Sequence, residues 1–494
     1  MSLRLHLRHA CAAALGLSIS ATASAGIEIA NAHLRLGFER IELPGRETMG
    51  LLGTSYLVDV KGIDGLSLGP AVYGAITGQR GGFYTIGGEI AWRRQISGPL
   101  GLEAGLYVGG GGGGGAPQGG GLMLRPHLDL LWDMGGHLPG LSLSQVKFPN
   151  GQIKSTQVGL VWNVLTDFRY LRGSSSDTTN VANRSGLGFD RIQAVLGRYY
   201  PRGRSGRASG GALPGHIGYA GVRAEQALDA SLYWGIEANG AASGGVAGYA
   251  EYLATLGWET NLLKPGLSFG GRLALGMGGG GDVSVGGGLL AKASLHAGWR
   301  FTRTLGLTLE GGVAASPDGD FKAPFAAAAL TWHLDAPPTG DLDAPNRRTE
   351  FSSGLEQYDA PRRDGSTRRL QAIALKINRY VTPAIYLTGQ AHSATGGGAG
   401  GYSSGLLGVG ASIEPISRLQ LSAEFLAGAA GGGGVETRGG LVTQPMAYAS
   451  WRLNDALSLR VGAGRIRAAK GPLDSTVVDA ALVFSFGVTN RAAR

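Results

Sequence analysis

Several residue groups in this sequence have the types that chemistry uses. Glycine runs at Gly109–Gly115, Gly278–Gly281 and Gly431–Gly434 invite comparison with a phosphate-cradling loop. Such a loop needs Lys-Ser/Thr after the glycines and then a helix, whereas strand-like segments follow here. GLSLG, GLSFG and GYSSG match G-x-S-x-G at Ser67, Ser268 and Ser403. A nucleophile elbow requires a strand-to-helix turn, so these read as chance matches in a chain with 89 glycines. His33, His127, His137, His216, His296, His333 and His392 form no H-E-x-x-H pair, and Asp318-Gly319-Asp320 reads as an acidic turn. The sequence therefore implies no enzyme, no cofactor and no metal site.

The elements that surround these residues are more informative. Residues 1–25 carry Arg4 and Arg8, an apolar run from Ala10 to Ile19, and Ala23-Ser24-Ala25, which together read as a cleaved secretory signal peptide. The only cysteine, Cys11, lies in that leader, which excludes disulfides and cysteine-based metal sites from the mature chain. The formal charge is +9, reduced by two when Arg4 and Arg8 leave. The basic residues are not clustered as in a nucleic-acid binder, so no nucleic-acid partner is expected. No later segment has the roughly 18 consecutive apolar residues of a membrane helix.

One pattern occurs three times. GGGLMLRPHLDLLWD ends at Asp133, GGGLLAKASLHAGWR at Arg300 and RGGLVTQPMAYASWR at Arg452. Without gaps, Leu122, Leu289 and Leu441 align, as do Trp132, Trp299 and Trp451, and each copy follows its own glycine run. A run retained at one place in every copy is a structural element, since a linker would join units. Gly82-Phe83, Gly248-Tyr249 and Gly401-Tyr402 extend the match upstream; Trp162, Trp332 and Phe484 extend it downstream. Each copy spans about 150 residues and holds roughly eight strands of about ten residues, which makes about 24 in all. The expected organisation is signal peptide 1–25, repeat 26–170, linker 171–186, repeat 187–334, linker 335–349 and repeat 350–494.

Alternation then points to the surroundings. Leu128, Leu130 and Trp132 share one strand face, and His127, Asp129 and Asp133 share the other. Trp92, Trp132, Trp162, Trp258, Trp299, Trp332 and Trp451 all fall near the ends of even-numbered strands, on the rim where the chain begins and ends. Tryptophan gathers where membrane meets water. The pattern predicts a transmembrane antiparallel up-and-down β-barrel, and over the mature chain it resembles the bacterial outer-membrane β-barrel (porin-like) class. That resemblance implies a Gram-negative outer membrane with both chain ends in the periplasm. ALVFSF supplies the expected aromatic end at Phe484 and Phe486, although GVTNRAAR follows it.

A polar face sparse in bulk, as at Glu103, Gly105, Tyr107 and Gly109, suits one wide ring of about 24 strands; the alternative is three tandem eight-stranded barrels. Glu103, Asp129, Arg272, His296, Glu424 and Tyr448 are the expected lumen-facing residues. Arg46, Arg202, Arg204, Arg362 and Arg363 lie at equivalent outward turns. They are candidates for contact with lipopolysaccharide phosphates or for drawing anions to a mouth. Gly109, Gly115, Gly278, Gly281, Gly431 and Gly434 mark hairpins that a wide lumen would use as a thin constriction. The expected function is a pore for small or anionic solutes. The alternatives are a structural collar of a polymer-export or secretion complex with a periplasmic partner and, remotely, an outer-membrane hydrolase.

Overall fold

The computed structural model describes residues 27–171, 188–261, 266–334 and 347–488; the leader, most of both inter-repeat linkers and the tail after Val488 lie outside them. Along Met123–Trp132, Arg125, His127 and Asp129 are buried, while Leu128, Leu130 and Trp132 are 43–54% exposed. A strand facing water on one side turns its apolar residues inward. Here charge is inside and leucine outside. The inversion repeats at His296 between exposed Leu295 and Ala297, and at Arg460 between exposed Leu459 and Val461. A polar interior with an apolar outer band is the arrangement of a closed sheet in lipid, where every main-chain group must be paired within the sheet.

The described residues form 24 antiparallel strands and no helix. They close as three eight-stranded barrels, in place of the single ring favoured by the sequence. The first barrel closes where Ile27–Leu43 pairs with Lys154–Leu171. The second closes between Arg191–Tyr199 and Lys322–His333, and the third between Arg347–Pro361 and Asp474–Val488. One residue pair, Gly487 with Leu171, joins the sheets of the third and first barrels. Beside it Phe486 meets Phe168 edge-on with ring centroids 5.5 Å apart, so the C-terminal aromatic packs against the first barrel.

The reason for three rings lies in the small residues of the inner faces. A Cβ added at Gly197 would strike Tyr219, and one at Gly257 would strike Tyr233. The same holds for Gly410 against Tyr386, Gly462 against Tyr448 and Gly105 against His127. These glycines are sockets for large neighbours, and the barrels they line are narrow and filled.

The barrels pack around a common axis in cyclic order. A Cβ at Gly82 of the first barrel would strike Gly280 of the second. One at Gly248 would strike Gly432 of the third, and one at Gly401 would meet Gly113 of the first at 3.0 Å. These are equivalent positions of the three repeats, so the triplicated sequence has become a three-fold contact. All three glycines have φ between 86° and 95°, a region that only glycine occupies cheaply. Between the barrels, Tyr84, Ile86, Leu52 and Val72 pack with Met277 and Tyr252 of the second barrel and with Leu375 and Ala391 of the third. Tyr84 and Tyr252 meet at 5.0 Å.

Gly248→Val tests the contact against Gly203→Val. Gly203 also has positive φ (66°) but nothing within 4 Å of an added Cβ. Both variants bear backbone strain of about 1–2 kcal/mol. Gly248→Val alone collides with the next barrel, so its melting temperature, followed by circular dichroism, is expected to fall well below that of Gly203→Val.

Candidate functional site

The three interiors are the places where chemistry-bearing residues converge. In the first barrel Arg35 donates to Asp129 at 2.9 Å and to the Tyr73 hydroxyl at 3.2 Å, with Glu89 and Glu103 at 3.7 and 3.9 Å. His127 bridges Glu89 and Asp129, each at 3.1 Å. Arg125 forks onto both oxygens of Glu39 at 2.8 and 2.9 Å. In the second barrel Arg223 pairs with Glu237 at 2.6 Å and Glu310 at 2.9 Å, and Arg272 with Glu225 and Glu310 at 2.8 Å. Lys292 spans Glu237 and Glu251, and Arg191 spans Glu225 and Glu259. In the third barrel Lys376 pairs with Glu424, Arg460 with Asp479, and His392 with Glu356. The Tyr448 ring lies beneath both Lys376 and Arg460, at 4.2 and 4.5 Å.

Charges at this depth persist only when paired, because desolvation of a lone ion exceeds what a single contact returns. The pairing also determines the field within. In the second barrel Arg191, Arg223, Arg272 and Lys292 face Glu225, Glu237, Glu251, Glu259 and Glu310, so carboxylates outnumber bases. The chain's positive charge is not on this lining.

Each mouth opposite the chain ends carries an apolar cap. In the first barrel Tyr107, Met123, Phe83, Phe148 and Ile153 gather around Ala116, which the glycine hairpin tucks inward. Val283 takes the Ala116 position in the second barrel and Val435 in the third. The glycine hairpins thus fold over their own barrels and press against the next one. Arg80 braces the first hairpin by donating to the carbonyls of Gly114 (3.2 Å) and Gly115 (2.7 Å) while paired with Glu47. Arg362 does so in the third barrel, donating to Gly433 and Gly397. In the second barrel Asp282 accepts from the Ser209 amide and hydroxyl.

Glu103, Asp129, Arg272, His296, Glu424 and Tyr448 are all buried inside the barrels, distributed two to each. Arg46, Arg202, Arg204 and Arg363 are exposed at the turns, but Arg362 is only 7% exposed and turned onto carbonyls, which corrects its reading as an outward contact. Trp92, Trp132, Trp162, Trp258, Trp299 and Trp451 are exposed on the outer face, and Trp332 is half-buried. Ser67, Ser268 and Ser403 lie in strands. Beside Ser403, Ser404 meets His392 Nδ1 at 3.1 Å, and Glu356 meets the same nitrogen at 3.1 Å. A relay needs base and orienter on different ring nitrogens, so this buried cluster is a pairing and not a nucleophilic triad. No group of three His, Cys, Asp or Glu suited to a metal occurs among the described residues. Neither the Tyr-into-Gly sockets nor the Arg80 brace was read from the sequence; the recurrence of Tyr73, Tyr233 and Tyr386 in the three copies was the available signal.

Inverted strands, a tryptophan belt on one rim and closed rings define a protein of the transmembrane antiparallel β-barrel class, here with three barrels in one chain. No protein-family model matches the chain, and no curated protein matches it significantly. Among solved structures, OccK11 (OpdR) of Pseudomonas aeruginosa is 11% identical, with 93% of this chain and 96% of that one covered at a TM-score of 0.22. The outer membrane protein OpdK of the same organism is 9% identical over 94% and 99%, TM-score 0.23. A ferric enterobactin receptor (PfeA) mutant from that organism is 11% identical over 94% and 81%, TM-score 0.28. At those scores the backbones do not superpose as whole chains.

Arg223→Met leaves Glu237 and Glu310 without their shared partner. It is expected to destabilise the protein by about 3–5 kcal/mol in urea unfolding from lipid vesicles. Arg204→Met, at an exposed turn, is expected to change stability by less than about 0.5 kcal/mol.

Proposed function

We propose that the chain is an outer-membrane structural protein, a rigid three-barrel platform whose lumens are closed at rest. The observation that carries this reading is the double closure of each barrel, by buried ion pairs across its interior and by an apolar cap at one mouth. Residues 1–25 deliver the chain for export, the tryptophan rim faces the periplasm, and the glycine hairpins face outward. Lipid and lipopolysaccharide surround it, and the linkers 171–186 and 335–349 are the segments through which a collar would meet a periplasmic export partner. No cofactor, nucleic acid or enzymatic step enters this reading.

A second reading, a porin-like channel for small or anionic solutes, is supported by the many charged residues that line the mid-lumen. It requires a conformation in which cap and ion pairs part together. An anion preference would have to come from the outer arginines Arg46, Arg202, Arg204 and Arg363, since carboxylates dominate the second lumen.

Single-channel recording of the refolded, heat-modifiable mature protein under a salt gradient decides between them. Silence is expected, and silence is expected to persist after removal of 109–121, because the Arg35 network still spans the uncapped first barrel. A large, steady conductance with an anion-favouring reversal potential would overturn the platform reading in favour of the channel.

A further inference from the structure

The three junctions between barrels are not equal. On the rim of the glycine hairpins, the Gly81 amide donates to the Gly286 carbonyl at 2.9 Å and so fastens the first barrel to the second. The equivalent bond from Gly400 to Gly119, at 3.1 Å, fastens the third to the first. The third member of that set is Ala247 with Arg438, and among the described residues no such bond joins them. There, beside the Gly248–Gly432 contact, a cleft of about 650 Å³ opens between the second and third barrels.

The residues at this cleft are as distinctive as its shape. Arg438 occupies the position held by Gly119 and Gly286 in the other copies, all with positive φ (38°, 60° and 60°). Arginine disfavours that backbone region, and the sister copies show that glycine serves there. Lys470 stands where the other copies have Asn150 and Asp318. Arg363 completes a basic triplet, and only Glu436 among the lining residues opposes it, with its carboxylate 3.9 Å from Arg438. The facing wall is Gly244 and Gly245, whose lack of side chains allows a group to approach the main chain.

We propose that this cleft binds a phosphate-bearing ligand, and that Arg438, Lys470 and Arg363 form its anion site. Two guanidinium forks and one ammonium suit a phosphate, which accepts bidentate bonds from arginine and a point charge from lysine. A cleft of this size also has room for the sugar that carries a phosphate in a lipid headgroup. Glu436 is then placed to accept from a sugar hydroxyl. The proposal rests on the outer-membrane placement above, which puts this rim among headgroups, and it adds a site and a ligand chemistry to it.

The test uses the full mature protein folded in non-ionic micelles, with bis-phosphorylated lipid A, dephosphorylated lipid A and inorganic pyrophosphate as probes in titration calorimetry. Lipid A affinity is expected to fall about tenfold or more in Arg438→Gly and in Lys470→Asn. Arg438→Gly is expected to melt no lower than wild type, since it relieves the backbone, so lost binding cannot be assigned to unfolding. Pyrophosphate binding as tightly as lipid A assigns the site to a free phosphate; binding of lipid A alone assigns it to the headgroup. Equal lipid A affinity in wild type and both variants overturns the proposal, as does equal binding of the dephosphorylated lipid. Neither result bears on conductance, so failure here and failure of the platform reading are separable.

Discussion

Where Gly82, Gly248 and Gly401 lie against Gly280, Gly432 and Gly113, main chain rests directly on main chain. Barrels of ordinary surface would stand apart by the length of two side chains. Removing those side chains at one level, on both partners and three times over, brings the rims together while Tyr84, Met277 and Tyr252 fill the space behind. The glycines bear an entropic cost on ordering. That cost explains why they are confined to hairpins held by Arg80 and Arg362 and anchored in the mouths by Ala116, Val283 and Val435.

The interiors answer a different constraint. Eight strands enclose a space that side chains can just fill. Because the outer faces must be apolar, the inner faces take up the polar residues, and in so narrow a space those residues must satisfy one another. Arg35, Arg223 and Arg460 therefore each stand opposite carboxylates on other strands. Such a network favours one strand register, since a slip of one residue would drive its charges into lipid. The same network fills the lumen, so strand register and a filled interior have one cause.

Much of the fold was legible from local pattern. Strand direction, the in-and-out assignment of His127 and Leu128, the rim on which Trp132 and Trp299 fall, and the equivalence of the repeats follow from period-two alternation and internal repetition. Volume was not legible. Gly105 reads as empty lining, yet His127 from the adjoining strand occupies the space above it, as Tyr219 does over Gly197. Alternation says which face a residue takes and nothing of what fills the gap beside it. Arg362 shows a similar limit, since a turn position fits an exposed contact equally well and only the folded hairpin brings Gly433 and Gly397 to it.

By itself, then, the sequence determined a triplicated, antiparallel membrane sheet with charge inside, because those properties are periodic along the chain and lipid permits few alternatives. Tertiary structure alone decided that each repeat closes on itself, that glycine runs are contacts between barrels, and that Arg438 and Lys470 share a cleft. Closure depends on whether Ile27–Leu43 finds Lys154–Leu171 or the strand of another repeat, two partners of like pattern. Packing across the ring makes that choice, through the fit of tyrosine into glycine and of arginine onto carboxylate, between residues far apart in sequence.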